Sequence, residues 1–178
     1  MHRKKLFELL KKYNPVYPEE IIDREKMLDF LDNNVDCFER SLKSGHFTGS
    51  SWLVNYENTE FLLTLHKKFD TWLQLGGHAD GDSDIVKVSI KEAHEESGLK
   101  NIEMLSPEIF DISAHEVAEY KGIPAHFHYD VRFILKASNP NESIQISDES
   151  NDLKWFKTPP SDNHEINRMF EKWKNEFS

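Results

Sequence analysis

Residues 75–99 read LGGHADGDSDIVKVSIKEAHEESGL, and what this chain builds turns on them. Val86, Ile90, Ala93 and Ser97 recur at i, i+4, i+7 and i+11, a narrow stripe that predicts a helix packed on a sheet. Ser83 or Asp84 can cap its start, and Gly98 suits the left-handed residue just past its end. Glu92, Glu95 and Glu96 fall on an arc of about 100° beside the stripe, because positions three and four apart are neighbours on a helix. Three carboxylates so placed repel one another. They are either a solvated face or a seat for a hard divalent cation, which takes oxygen ligands and offsets the repulsion. Asp80, Asp82 and Asp84, in the loop before the helix, read first as turn and capping residues.

Outward from this segment the pattern is mixed α/β. Upstream, SWLVNYE (51–57) and EFLLTLHKK (60–68) are β-rich runs joined by a polar connection, and TWLQLGG (71–77) is a short extended piece. Downstream, IEMLSPEIFDISAHEV (102–117) holds one or two strands, and LKWFKT (153–158) another. The clearest strand is PAHFHYDVRFILKA (124–137). Its alternation puts Phe127, Tyr129, Val131, Phe133 and Leu135 on an apolar face and His126, His128, Asp130 and Arg132 on a polar one. That polar face has three readings: a hydrogen-bonded sheet surface, a cleft wall meeting phosphate oxygens, or a metal site of two histidines and a carboxylate. Helical periodicity covers residues 3–13, then 19–44 with a break near Asn33-Asn34, and finally NHEINRMFEKWKNEF (163–177). The division expected is a helical extension over 1–45 and a domain over 46–178.

Composition narrows the function classes. The chain of 178 residues carries 32 Asp and Glu against 22 Lys and Arg, a net charge of −10, which argues against a nucleic-acid backbone as partner. The same charge repels a small anionic substrate unless cations mediate. No apolar run approaches the ~20 residues that cross a bilayer, and the N-terminal MHRKKLFELLKKYNP is amphipathic rather than a signal peptide. A single cysteine, Cys37, precludes an internal disulfide, reads as a buried structural thiol and fits a reducing cytoplasm. The aromatics Trp52, Trp155 and Trp173 read as packing residues, while Trp72 is either core or a platform for a base or sugar.

From Gly77 to Leu99 the sequence resembles the Nudix box, G-x5-E-x7-R-E-U-x-E-E-x-G-U, with U a bulky aliphatic residue. Gly77, Glu92, Glu95, Glu96, Gly98 and Leu99 match in register. Ser83 stands where the box has its first glutamate, Lys91 where it has arginine, and Ala93 where it has the aliphatic residue. The resemblance extends roughly from His46 to Phe156. It implies an α/β/α sandwich with a mixed central sheet, and Mg²⁺ or Mn²⁺ held by Glu92, Glu95 and Glu96 with the carbonyl of Gly77. It further implies catalysis by Glu92 and by a carboxylate from a distant loop, here Glu149, with Asp148 and Asp152 as competitors. His78, His126, His128, Arg132 and Trp72 are the candidate substrate contacts. The activity implied is metal-dependent hydrolysis of a diphosphate linkage in a nucleoside diphosphate joined to another moiety. Two readings on the same scaffold compete with it. One is a non-catalytic nucleotide-binding module in which Ser83 and Lys91 mark a decayed site. The other is an isoprenoid-diphosphate isomerase, disfavoured because the sole Cys37 lies in the extension. A histidine-strand metal protein is the reading outside the scaffold. Selectivity and oligomeric state, including a homodimer, stay open.

Overall fold

The structure, a computed structural model, describes residues 2–120, 122–148 and 150–178. In chain order the elements are α1 (Lys4–Lys12), α2 (Pro18–Asn33), β1 (Gly45–Val54), β2 (Phe61–His66), β3 (Thr71–Leu73), β4 (Leu75–His78), α3 (Ile85–Ser97), β5 (Ile102–Met104), β6 (Asp111–Val117), β7 (His126–Ala137), β8 (Ser150–Phe156) and α4 (His164–Glu176).

Two long strands organise the mixed sheet. β1 and β7 run parallel from Gly45↔Phe127 to Val54↔Lys136, and every other pairing is antiparallel. The outer edge of each is divided. β4 covers Thr48–Ser51 of β1 and β2 joins it at Val54, while β6 pairs with the first half of β7 and β5 with its end. β3 and β8 flank β2.

Alternation along β1 assigns its two faces. Phe47 packs with α1, α2 and α3 residues, and Leu53 with Ala93 and Leu99. On the opposite face Trp52 and Val54 pack with Ile166, Met169 and Trp173 of α4. Trp52 also stacks on Phe61 at 4.3 Å, a contact worth about 0.5–1.5 kcal/mol beyond area burial. Helices therefore cover both faces, giving the α/β/α sandwich expected. Among the described residues no helix is long and apolar enough to cross a membrane.

The helices at the N-terminus belong to this core. Leu6, Leu10, Met27, Phe30 and Leu31 share one cluster with Phe47, Val131 and Phe133, and Phe30 stacks on Tyr129 at 4.2 Å. Cys37 is buried in the same cluster, its thiol pushed up to about 11 by desolvation. α2 begins at Pro18, with Glu20 accepting the Val16 and Tyr17 amides at 2.8 and 2.9 Å. It stops at Asn33, at the break expected near Asn33-Asn34, and the helical pattern read on to Ser44 does not resume as a helix. Asn34 is extended and returns its side-chain amide to the Phe30 carbonyl, while Arg3 takes the carbonyls of Leu31 and Asp32, so the open end of the helix is satisfied and the chain turns away. The stretch TWLQLGG is likewise two strands rather than one, since β3 pairs with β2 and β4 with β1.

Candidate active site

The helix read from residues 84–98 forms, but its buried face runs through Ile85, Val88, Ser89, Ala93 and Ser97, while Val86 and Ile90 of the expected stripe are only partly buried. Asp84 caps it by accepting the Lys87 amide, and Gly98 closes it at φ 71°, a left-handed conformation that glycine adopts without Cβ strain. The helix lies close on β1 because Gly49 has no side chain: a Cβ there would meet the Ile85 carbonyl and the Ser89 amide. Ser89 Oγ completes the contact, donating to the Ser50 carbonyl at 2.9 Å. The loop aspartates do turn and capping work. Asp80 sits at φ 48° and pairs with Arg40, and Asp82 accepts the Asp84 amide and the Lys87 ammonium.

α3 places its carboxylates beside β4. Glu96 is buried and accepts the Gly76 amide at 3.1 Å. The Glu92 carboxylate lies so close to Gly77 that any Cβ on that residue would collide with it. Glu95 is more exposed, at 59% of its side chain. Lys91 lies between two of them, 3.0 Å from Glu92 Oε1 and 3.4 Å from Glu95 Oε2, and these ion pairs raise its own pKa. Lysine here is a point charge between carboxylates, without the fork of an arginine.

Gly76, Gly77, Lys91, Glu92 and Glu95 form one wall of a cleft of about 560 Å³. The other wall comes from the face of the sheet that carries Trp52. Register sets His46 of β1 level with His128 of β7, and His128 level with His115 of β6, while His78 of β4 pairs with Thr48, two residues on from His46. Four neighbouring strands thus bring five histidines together, counting His126. His46, His78 and His128 each have a ring nitrogen within 4.8 Å of the others'. His126 Nε2 is 3.2 Å from His128 Nε2, and its Nδ1 is 2.8 Å from the Pro124 carbonyl. Burial, reinforced by neighbouring imidazoles, lowers the pKa of His46 to about 4 and of His128 to about 3. Burial and then Arg40 lower His78 to about 4.

Further along the same face the polar side chains change character. Asp130, buried at the base of the cleft, accepts from Thr48 and Ser50 hydroxyls at 2.8 and 2.7 Å, from Gln74 at 3.2 Å and from Arg132 Nε at 2.7 Å. Arg132 is wholly buried and also pairs with Asp111 and Glu165, at 2.8 and 2.5 Å. Arg168 and Lys172 of α4 join at Asp111, and Lys172 reaches Glu20 of α2.

The candidate residues therefore divide. Gly77, His78, Glu92, Glu95, His126 and His128 line the cleft, with Glu96 just behind it on Gly76. Arg132 does not meet it: its guanidinium is consumed by three carboxylates. Trp72 does not line it either, packing edge-on to Phe156 at 4.9 Å. Asp152 pairs with Lys154, Asp148 is an exposed loop residue, and Glu149 lies outside the described residues. His46, His115 and Gln74 were not singled out in the sequence. An alternation count over residues 44–54 would have put His46 on the face of Trp52, but only strand pairing shows that it meets His128 and His78.

No protein-family model matches the sequence, and no curated protein matches it significantly. Solved structures do match. A C. elegans Ap4A hydrolase superposes with a TM-score of 0.56 at 19% identity, over 72% of this chain and 95% of that one. A NUDIX-family hydrolase from Clostridium perfringens gives 0.56 at 24% identity, over 73% and 97%. A MutT NUDIX hydrolase from Burkholderia pseudomallei gives 0.52 at 18% identity, over 72% and 97%. The chain has the fold of the Nudix hydrolases, as the resemblance over Gly77–Leu99 implies.

Proposed function

We propose that this protein is a divalent-metal-dependent hydrolase that cleaves a diphosphate linkage in a nucleoside diphosphate joined to another moiety. The observation that carries the reading is the placement of Glu92 and Glu95 along one wall of the cleft, with Glu96 just behind them on Gly76, on a helix locked to Gly49 and Gly76 of the fold described above. The donor set fits Mg²⁺ or Mn²⁺. All three donors are hard carboxylate oxygens, and Lys91 offsets part of the repulsion between Glu92 and Glu95. The fold neighbours carry hydrolase names, among them an Ap4A hydrolase, which supports the reaction class.

Glu96, held by the Gly76 amide, and Glu92, packed on Gly77, are the fixed ligands in this reading, with the Gly77 carbonyl beside them. Glu95 is exposed enough to turn toward the same ion. When bound, the metal neutralises diphosphate charge and makes a water more acidic. Glu92 then serves as ligand or base. Glu149 is proposed as the loop carboxylate that joins it. His78, His126 and His128 present the opposite wall to the substrate. Lys91 holds Glu92 and Glu95 in register without blocking them, because its exposed ion pairs are worth at most about 1 kcal/mol. The buried, lone Cys37 keeps the reducing cytoplasm as the proposed setting.

The test is nucleotide release from a panel of nucleoside-diphosphate compounds with Mg²⁺ or Mn²⁺, comparing the wild type with Glu96→Gln. Turnover that requires the metal and falls on the order of 100-fold or more in the variant supports the hydrolase. Nucleotide binding without turnover in the wild type overturns it in favour of the non-catalytic module, with Ser83 and Lys91 as the reason.

A further inference from the structure

The histidine wall contains a feature that hydrolysis by the α3 carboxylates does not use. His46 is 3% exposed, and among the described residues neither of its ring nitrogens has a hydrogen-bond partner. A buried polar atom left unpaired costs about 1–3 kcal/mol, so an unsatisfied imidazole facing a cleft is a group waiting for a partner. The nearest candidates are themselves imidazoles: the ring centroids of His78, His126 and His128 lie 5.0, 5.1 and 4.9 Å from that of His46.

We infer that His46, His78 and His128 form a second metal centre, selective for a borderline d-block dication of the zinc class and separate from the carboxylates of α3. Three observations carry this. The ligand nitrogens lie within 4.8 Å of one another. Around tetrahedral zinc, bonds of about 2.0–2.1 Å put them about 3.3 Å apart, so closure needs ring movements on the order of 1 Å. The three rings stand on three adjacent strands, β4, β1 and β7, whose registry is fixed by backbone pairing, so the cage is positioned by sheet rather than loop. The donor set is imidazole alone, which suits zinc-class ions and not Mg²⁺. Of the carboxylates lining the cleft, Asp130 already accepts four hydrogen bonds and Asp80 is paired with Arg40, so neither is needed as a ligand.

Three protein ligands leave a fourth position, and the cleft supplies the space for it. His126, 3.2 Å from His128, stands where it can fill that position or yield it to an anion. A dication here faces the same cleft as Glu92 and Glu95, so an anionic substrate would lie between two positive centres. That role rests on the proposed hydrolase; the metal binding does not.

The experiment is titration of tag-free, chelator-stripped protein with Co²⁺ in excess Mg²⁺, read by the visible d–d bands of low-coordinate cobalt and by their loss when Zn²⁺ is added. The expected result is one Co²⁺ per chain in the wild type and in Glu96→Gln. In His78→Gln and His128→Gln of unchanged circular dichroism, binding should weaken at least about 100-fold. No band in the wild type overturns the proposal, as does a band that survives both histidine variants or disappears in Glu96→Gln. If the variants do not fold, Zn²⁺-induced shifts of the imidazole nitrogen resonances in the wild type decide the matter: shifts at His46, His78 and His128 support the site, and their absence overturns it. Because Glu96→Gln should abolish turnover yet keep cobalt, failure of the hydrolase reading and failure of this one give different results.

Discussion

Two polar clusters lie end to end on one face of the sheet, and β7 contributes neighbouring side chains to both. His126 and His128 belong to the first, Asp130 and Arg132 to the second. In the second, every charge is answered. Asp111 alone receives Arg132, Arg168 and Lys172, and these reach on to Glu165, Glu19 and Glu20. The network pins α2 and α4 to the sheet beneath the apolar core of Trp52 and Trp173. In the first cluster the rings crowd one another, and among the described residues the His46 ring nitrogens have no hydrogen-bond partner. Both are buried and polar, so burial does not separate structure from binding. Satisfaction does: a closed network has nothing left to offer a ligand, whereas an open one has donor atoms to spare.

The sharpest way to break this contrast is to open the closed cluster. Asp111→Ala leaves three buried cations short of their common anion and should lower unfolding free energy by about 3–5 kcal/mol in urea denaturation. A loss below about 1 kcal/mol would show that the carboxylates remaining around the network suffice. The pH profile gives an independent check. Burial alone would raise the Asp111 carboxyl, but Arg132, Lys172 and Arg168 hold it well below the usual range. The folded state therefore binds this proton less readily than the unfolded chain does. The stabilisation is complete above the unfolded carboxyl value of about 3.9 and is lost as pH falls below that toward the depressed folded value. Asp111→Asn should thus differ from wild type by a constant amount from about pH 5 to 8, with the gap narrowing only in stronger acid.

The open cluster should respond to a ligand instead. Zn²⁺ at 100 times its dissociation constant should add about 2.7 kcal/mol to unfolding free energy, an increase absent in His128→Gln and present in Asp111→Asn. Equal stabilisation of wild type and His128→Gln would move zinc off the histidines and dissolve the contrast from the other side.

How much of this could be read in the sequence differs between the clusters for a physical reason. Local periodicity placed Glu92, Glu95 and Glu96 on one helix arc, and Asp84 and Gly98 at its ends, because those relations are fixed within a few turns of chain. Alternation likewise put His126, His128, Asp130 and Arg132 on one face of β7. Alternation is silent on depth along a strand. Arg132, a candidate phosphate contact, lies where α4 closes over the sheet through Glu165 and Met169, and its charge goes to the core. Nor could alternation say which strands adjoin. His46 meets His128 only because β1 and β7 pair in parallel, a relation between segments 82 residues apart that no local pattern encodes. The end of α2 at Asn33 depended similarly on Arg3 arriving from α1 to take its last carbonyls.

The smallest expected effect is the most discriminating. In metal-free protein, His128→Gln removes a ring whose nearest polar neighbour is another histidine, His126, at 3.2 Å. Glutamine keeps a donor and an acceptor, and no charge is stranded, because the imidazole is neutral in the fold well below neutral pH. The change should cost less than about 1 kcal/mol at pH 7, against several for Asp111→Ala, although His128 is half-buried. If the metal-free variant instead loses as much as Asp111→Ala, the histidine wall is itself a load-carrying part of the sheet, and its unpartnered nitrogens are strain the fold tolerates. If it loses little, the stability that zinc restores belongs to the site and not to the scaffold.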